Sequence, residues 1–199
     1  LGLRTLATFR KQTGQNNLSW NPKDDYVEGF KILRTNLQFV NRNKDIKVIS
    51  VTSTLPGEGK SWVSANLALA YAKADYKVLL IDGDMRKGTQ NAIFNIRQAP
   101  GLSDLIKSND STDDFRLIAG KYIHKASINN VYIIPSGNLT FDSSELLISN
   151  RTNKLLETLK QNFDIIIIDS TPCTMVADAA IISRIVDTTI IVTEYEKTK

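Results

Sequence analysis

Residues 53 to 61 read Ser53-Thr54-Leu55-Pro56-Gly57-Glu58-Gly59-Lys60-Ser61, after the apolar run Ile46-Lys47-Val48-Ile49-Ser50-Val51 and before Val63-Ser64-Ala65-Asn66-Leu67-Ala68-Leu69-Ala70. The order is strand, glycine loop, helix. Binding a polyphosphate takes backbone N–H groups aimed at phosphate oxygens, a helix N-terminus behind them, an ammonium for the terminal phosphates and a hydroxyl for magnesium. Gly57, Gly59, Lys60 and Ser61 supply those four parts. Two further strand ends carry acids. Val78-Leu79-Leu80-Ile81-Asp82-Gly83-Asp84 ends on two carboxylates, and Asp164-Ile165-Ile166-Ile167-Ile168-Asp169 ends on a third. Carboxylates placed there can hold the water shell of magnesium, or orient and deprotonate a nucleophile. Asp82 and Asp84 are two apart, so an extended backbone points both toward the same site. A lone aspartate in such a place is more often a turn former or helix cap. Three of them beside a phosphate loop favour chemistry.

The elements that must position these groups alternate. A helix is expected over 26 to 39, with Phe30, Leu33, Leu37 and Val40 at helical spacing. Strands are expected at 46 to 52, 77 to 82, 131 to 134, 164 to 169 and 188 to 193, with helices at about 60 to 74, 143 to 161 and 177 to 185. Runs as apolar as Ile165 to Ile168 suit strands buried on both faces. The fold class is therefore α/β: a doubly wound, mostly parallel sheet with helices on both faces, whose ligands gather at the carboxyl ends of the strands. The polar stretch from Gln98 to Asn130 reads as a surface excursion, with a short helix only at Leu102 to Lys107.

A chain of 199 residues with 42% hydrophobic and 23% charged side chains suits one globular domain. A net charge of +4 neither demands nor excludes an acidic partner, and no nucleic acid is expected. The single cysteine, Cys173, and the lack of an apolar run near 20 residues point to a reducing, cytoplasmic setting. Residues 1–22 read as a basic and apolar extension, with Arg4, Arg10 and Lys11 among Leu1, Leu3, Leu6 and Phe9. It is either an adaptor-like or membrane-proximal segment, or a solvated extension. The domain proper is expected over 23–199.

With those motifs in view, the chain resembles the bacterial tyrosine autokinases of capsule and exopolysaccharide production. The likeness rests on Pro56 to Ser61, on Leu80-Ile81-Asp82-Gly83-Asp84-Met85-Arg86-Lys87 and on Ile167-Ile168-Asp169, and it extends over roughly residues 24 to 195. It implies a P-loop protein-tyrosine kinase that uses ATP and Mg2+ to phosphorylate a tyrosine-rich C-terminal tail in trans. It also implies a transmembrane polysaccharide co-polymerase adaptor as activator, a cognate tyrosine phosphatase, and a cytoplasmic protein associated with the membrane through its adaptor. By position, Pro56, Gly57, Glu58, Gly59, Lys60, Ser61 and Trp62 would line the nucleotide. Lys60 would grip its terminal phosphates. Ser61, Asp84 and Asp169 would hold the metal or its waters, and Asp82 would act as base or orienter for the incoming phenol. The three carboxylates could exchange these roles.

The family's self-association motif, Glu-x-x-Arg-x-x-Arg, appears as Glu28, Lys31 and Arg34, three charges on one helix face. It implies a homo-oligomeric ring, with Lys31 lacking the bidentate fork of arginine. Trp62 stands where a small residue is usual, and core filling is its simpler use. The third motif continues Asp169-Ser170-Thr171-Pro172-Cys173 instead of Asp-Thr-Pro-Pro. Asp178 is expected to be structural, and Cys173 and His124 bystanders. A fold of this type is expected to carry a further helix and strand after Lys199, and the six tyrosines, Tyr26, Tyr71, Tyr76, Tyr122, Tyr132 and Tyr195, form no cluster. Two other classes remain: a nucleotide-binding scaffold without catalysis, and a site-selection or partition ATPase, whose signature lysine is replaced by Leu55 and Pro56.

Overall fold

The computed structural model describes residues 4–9, 24–40 and 46–195. Strands β1 (Val48–Ser53), β2 (Val78–Asp82), β3 (His124–Lys125), β4 (Val131–Ile134), β5 (Ile165–Asp169) and β6 (Thr188–Val192) form one sheet in the order β3-β4-β2-β5-β1-β6. All pairings are parallel except β3 with β4, an antiparallel edge. Strands β1, β2 and β5 are buried along their whole length, as unbroken Val, Ile and Leu runs require when helices cover both faces. Their register sets Asp82 directly beside Asp169.

Helices α1 (Asp25–Val40) and α2 (Lys60–Ala72) cover one face. In α1 a stripe of Val27, Phe30, Leu33 and Leu37 is buried while Glu28, Lys31, Thr35 and Gln38 face solvent. Helix α2 is buried continuously from Val63 to Ala72, because α1 lies on its outer side and the sheet on its inner side. Small residues, Ala65, Ala68, Ala70 and Ala72, let it fit between them. Helices α4 (Leu102–Lys107), α6 (Ser143–Ile148), α7 (Asn150–Lys160) and α8 (Asp178–Ser183) contribute to a second apolar layer with Val48, Leu79, Ile81, Ile166 and Ile168.

Residues 4–9 lie against the first layer. Leu6, Ala7 and Phe9 pack there, and Asn36 Nδ2 donates to the Leu6 carbonyl at 2.7 Å. Phe9 stacks on Phe30 with ring centroids 4.4 Å apart. A Cβ at position 29 would stand 2.8 Å from Phe9 Cε1, so Gly29 is what lets this ring approach the helix.

Two expectations are corrected. The single helix at 143 to 161 is two, because Ser149 takes an extended conformation (ψ 149°) and its Oγ accepts the Thr152 N–H, closing α6 and capping α7. The segment 98 to 130 also holds more than α4: helix α5 (Phe115–Lys121), capped by the Asp114 carboxylate, and β3 lie within it. A five-residue helix, α3 (Gln90–Phe94), precedes it.

Candidate functional site

The loop between β1 and α2 is held open by its backbone. Gly57 and Gly59 adopt φ of 83° and 93°, where other residues are strained, and nothing lies within 4 Å of where a Cβ would stand on either. The cradle is thus open to a ligand that approaches the backbone closely. Ser53 Oγ donates to the Leu55 carbonyl at 2.8 Å. Glu58 Oε2 accepts the Leu55 N–H at 2.6 Å, and its Oε1 accepts the N–H of Glu194, just past β6, at 3.1 Å.

Lys60, at the first turn of α2, turns its Nζ to the strand ends. It stands 3.2 Å from Ser61 Oγ, 3.4 Å from Asp84 Oδ2 and 3.5 Å from Asp169 Oδ1. Burial works against its ammonium, but the charges of Asp169, Asp84 and Asp82 outweigh that and hold its pKa above the ordinary lysine value. Asp169 is fully buried, and Ser64 Oγ donates to its Oδ1 at 3.3 Å.

Asp82 and Asp84 do not point together. The strand ends at Asp82, and Asp84 lies in the turn after it, where its Oδ1 accepts the Lys87 N–H at 2.9 Å and its Oδ2 faces Lys60. Asp82 is fully buried. Its Oδ2 accepts the N–H groups of Thr89 (2.8 Å) and Gln90 (2.9 Å), serving the first turn of α3, and its Oδ1 accepts the Asp84 N–H. Burial, with the Asp169 charge beside it, pushes the Asp82 carboxyl up to about 7, against the pull of the Gln90 N–H and Lys60.

Three carboxylates around one ammonium leave a surplus of negative charge that a divalent cation would offset. Among the described residues no group of three or more Asp, Glu, His or Cys could hold a metal by itself. Magnesium takes one or two carboxylates and fills its octahedron with phosphate oxygens and water. Ser61, Asp84 and Asp169 fit such a partial set.

The other predicted residues are placed as follows. The Trp62 ring packs with Phe9, Tyr26 and Phe30 at centroid distances of 6.0, 5.5 and 5.2 Å, as core filling requires. Glu28 and Lys31 pair within the exposed face of α1 at 3.0 Å, whereas Arg34 Nη1 donates to the Ala70 carbonyl of α2 at 2.7 Å. Asp178 is buried, accepting from Ser143 Oγ (2.6 Å) and Ser144 Oγ and meeting Arg86 Nε at 3.5 Å, a structural anchor for the loop after β2. Cys173 is exposed, and His124 lies on β3. Sequence reasoning missed Ser64 and Gln90. Gln90 bridges the site, and its only advance signal is a polar side chain opening a short helix.

A glycine cradle between β1 and α2, with carboxylates on the adjacent parallel strands, defines a P-loop NTPase-like α/β domain. Residues 46–198 match the AAA_31 family model, described as an AAA domain. The "Putative tyrosine-protein kinase CapB" of Staphylococcus aureus is 36% identical over 176 residues, covering 88% of this chain and 74% of CapB. The tyrosine-protein kinase Etk of Escherichia coli K12 is 33% identical over 88% of this chain but only 23% of its own length. Among solved structures, the chimerical protein CapA2B2 superposes with a TM-score of 0.89 at 33% identity, over 99% of this chain and 83% of the other. The Etk kinase domain superposes with a TM-score of 0.83 at 30% identity, over 96% and 74%. More distantly, MinD of Pyrococcus horikoshii, solved with Mg-ADP, gives 0.54 at 26% identity, over 74% and 57%. The chain belongs to the bacterial tyrosine-protein kinases.

Proposed function

We propose that this chain binds Mg2+-ATP in the loop from Pro56 to Ser61 and transfers the γ-phosphoryl group to tyrosine hydroxyls of a C-terminal tail, in trans within a homo-oligomer, to regulate capsular or exopolysaccharide production. The observation that carries this reading is the Lys60 ammonium at 3.4 and 3.5 Å from Asp84 and Asp169, at the head of an open glycine cradle. When bound, magnesium would supply charge neutralisation on the phosphates, held by Ser61, Asp84 and Asp169. Phosphoryl transfer passes through a loose transition state, so the chain's part is positioning and charge. The backbone N–H groups of Gly57 and Gly59 and the Lys60 ammonium grip phosphate oxygens. Asp82 orients the incoming phenol or receives its proton, for which a carboxyl titrating near neutrality is suited.

A transmembrane co-polymerase adaptor is the proposed activator, and association with the membrane would run through it. Supporting this, the chain is similar to the chimerical protein CapA2B2, and residues 4–9 pack on α1 beside Trp62. Residues 1–22 are proposed as that adaptor-like segment and 23–199 as the kinase domain. Glu28, Lys31 and Arg34 are the proposed contacts of a ring, and a tyrosine phosphatase would reverse the modification. Among the described residues no helix is long and apolar enough to cross a membrane.

The test is phosphotyrosine mass spectrometry after incubating the full natural protein with Mg2+-ATP and an adaptor fragment. Tyrosine phosphorylation that Asp82→Asn abolishes, with ATP binding retained, is the expected result, and Lys60→Met should abolish binding itself. The likeness to MinD favours one competitor, an ATPase switch, which would release phosphate and leave no phosphotyrosine.

A further inference from the structure

Gln90 joins three parts of the site that come from distant stretches of chain. Its Nε2 donates to Asp169 Oδ2 at 2.8 Å and to the Ser61 carbonyl at 3.0 Å, and its backbone N–H donates to Asp82 Oδ2 at 2.9 Å. A primary amide has two N–H groups, so both are committed, one to the end of β5 and one to the first turn of α2. The residue is fully buried. Its remaining polar atom, Oε1, is buried as well and has no hydrogen-bond partner.

We propose that Gln90 is a positioning residue for metal-nucleotide binding: its side-chain amide sets the Asp169 carboxylate against the Ser61 turn. Three observations converge on this. Asp169 has its Oδ1 toward Lys60 and Ser64, so the Gln90 bond on Oδ2 fixes the carboxylate plane from the other side. The Ser61 carbonyl, held by the same amide, belongs to the residue whose hydroxyl would meet the metal. The backbone contact to Asp82 then ties the start of α3 to the pair of strand-end carboxylates, Asp82 and Asp169, that the sheet register sets side by side. Residues that orient a metal ligand typically change metal affinity about 10- to 100-fold when altered, although they touch no metal.

This inference rests on the Mg2+-ATP reading of the site, and one experiment separates the two. In the full chain, fluorescent ATP-analogue binding is titrated with Mg2+ and repeated with EDTA, for the wild type and for Gln90→Leu, which keeps the bulk of the side chain and removes both amide functions. The Mg2+ concentration for half-maximal binding should rise about tenfold or more in the variant, while binding in EDTA stays within about twofold. A variant with an unchanged Mg2+ requirement, or one weakened equally with and without Mg2+, overturns the positioning role and leaves the nucleotide reading standing. A wild type that binds no nucleotide overturns both. If Gln90→Leu fails to fold, Gln90→Met provides the same comparison, since it is uncharged and unbranched, keeps the side-chain length and the backbone bond to Asp82, and has no amide. A higher Mg2+ requirement supports the role and an unchanged one ends it.

Discussion

Arg34 Nη1 donates to the Ala70 carbonyl at 2.7 Å, so one charge of the Glu28, Lys31, Arg34 face is spent inside the chain on the last turn of α2. A guanidinium there satisfies a carbonyl that the helix leaves open and sits favourably against its dipole. Arg34→Ala should therefore lower the stability of the isolated chain by about 1–2 kcal/mol. Glu28→Ala and Lys31→Ala remove an exposed i,i+3 pair and should cost about 0.5 kcal/mol or less. Light scattering on the Glu28→Ala/Lys31→Ala double variant then tests the ring without the confounding loss of fold. An unchanged mass sinks the interface assignment.

Asp82 gives a stability profile with a definite sign. Its carboxyl is raised from the ordinary 3.8 to about 7, so the folded state holds a proton that the unfolded state has released between those values. The contribution of that proton is full below about pH 4 and is lost as pH rises to 7. Asp82→Asn has no such dependence. Thermal melts from pH 4 to 8 should show the Tm of Asp82→Asn gaining on the wild type up to about pH 7 and then running parallel. A constant difference would show that Asp82 does not titrate there.

Phe9 ties residues 4–9 to α1 through Phe30 and to α2, the helix that follows the phosphate loop, through Trp62. Its ring is half-buried, and Phe9→Ala should cost about 1–2 kcal/mol. Trp62 emission should shift to the red as water reaches the indole. Emission and Tm both unchanged would mean that the segment does not hold this position in solution.

Tyrosines differ sharply in access. Tyr71 and Tyr122 are almost fully buried, and burial pushes the Tyr71 hydroxyl up to about 12, while Tyr195 is 90% exposed. Of the tyrosines in this chain, phosphate should appear on Tyr195 and stay off Tyr71 and Tyr122. Peptide mapping after incubation with Mg2+-ATP decides it, and phosphate on Tyr71 without unfolding would contradict the packing.

How far these features could be read in advance follows from the range of the forces behind them. The strand from Ile165 to Ile168 and the helix from Lys60 were legible because local apolar runs and a glycine loop determine them. The carboxylates were legible as strand ends, and β-sheet register then sets Asp82 beside Asp169. The direction of Asp82 was not, because its partners are the backbone amides of a five-residue helix too short to have a period. Ser149 carried a cap signal inside a helical pattern, and the pattern concealed it. The Gln90 side chain and the Phe9 ring act through contacts between segments well apart in sequence, which no spacing reports.

Glu58 accepts one N–H from Leu55, just past the carboxyl end of β1, and another from Glu194, just past the neighbouring end of β6 and 136 positions away in sequence. The pitch of the phosphate loop and the path of the chain just past β6 are therefore not independent: the Glu58 carboxylate joins them beyond the point where the ladder between Ser53 and Val192 ends, as a clasp closes the last gap above a row of stitches.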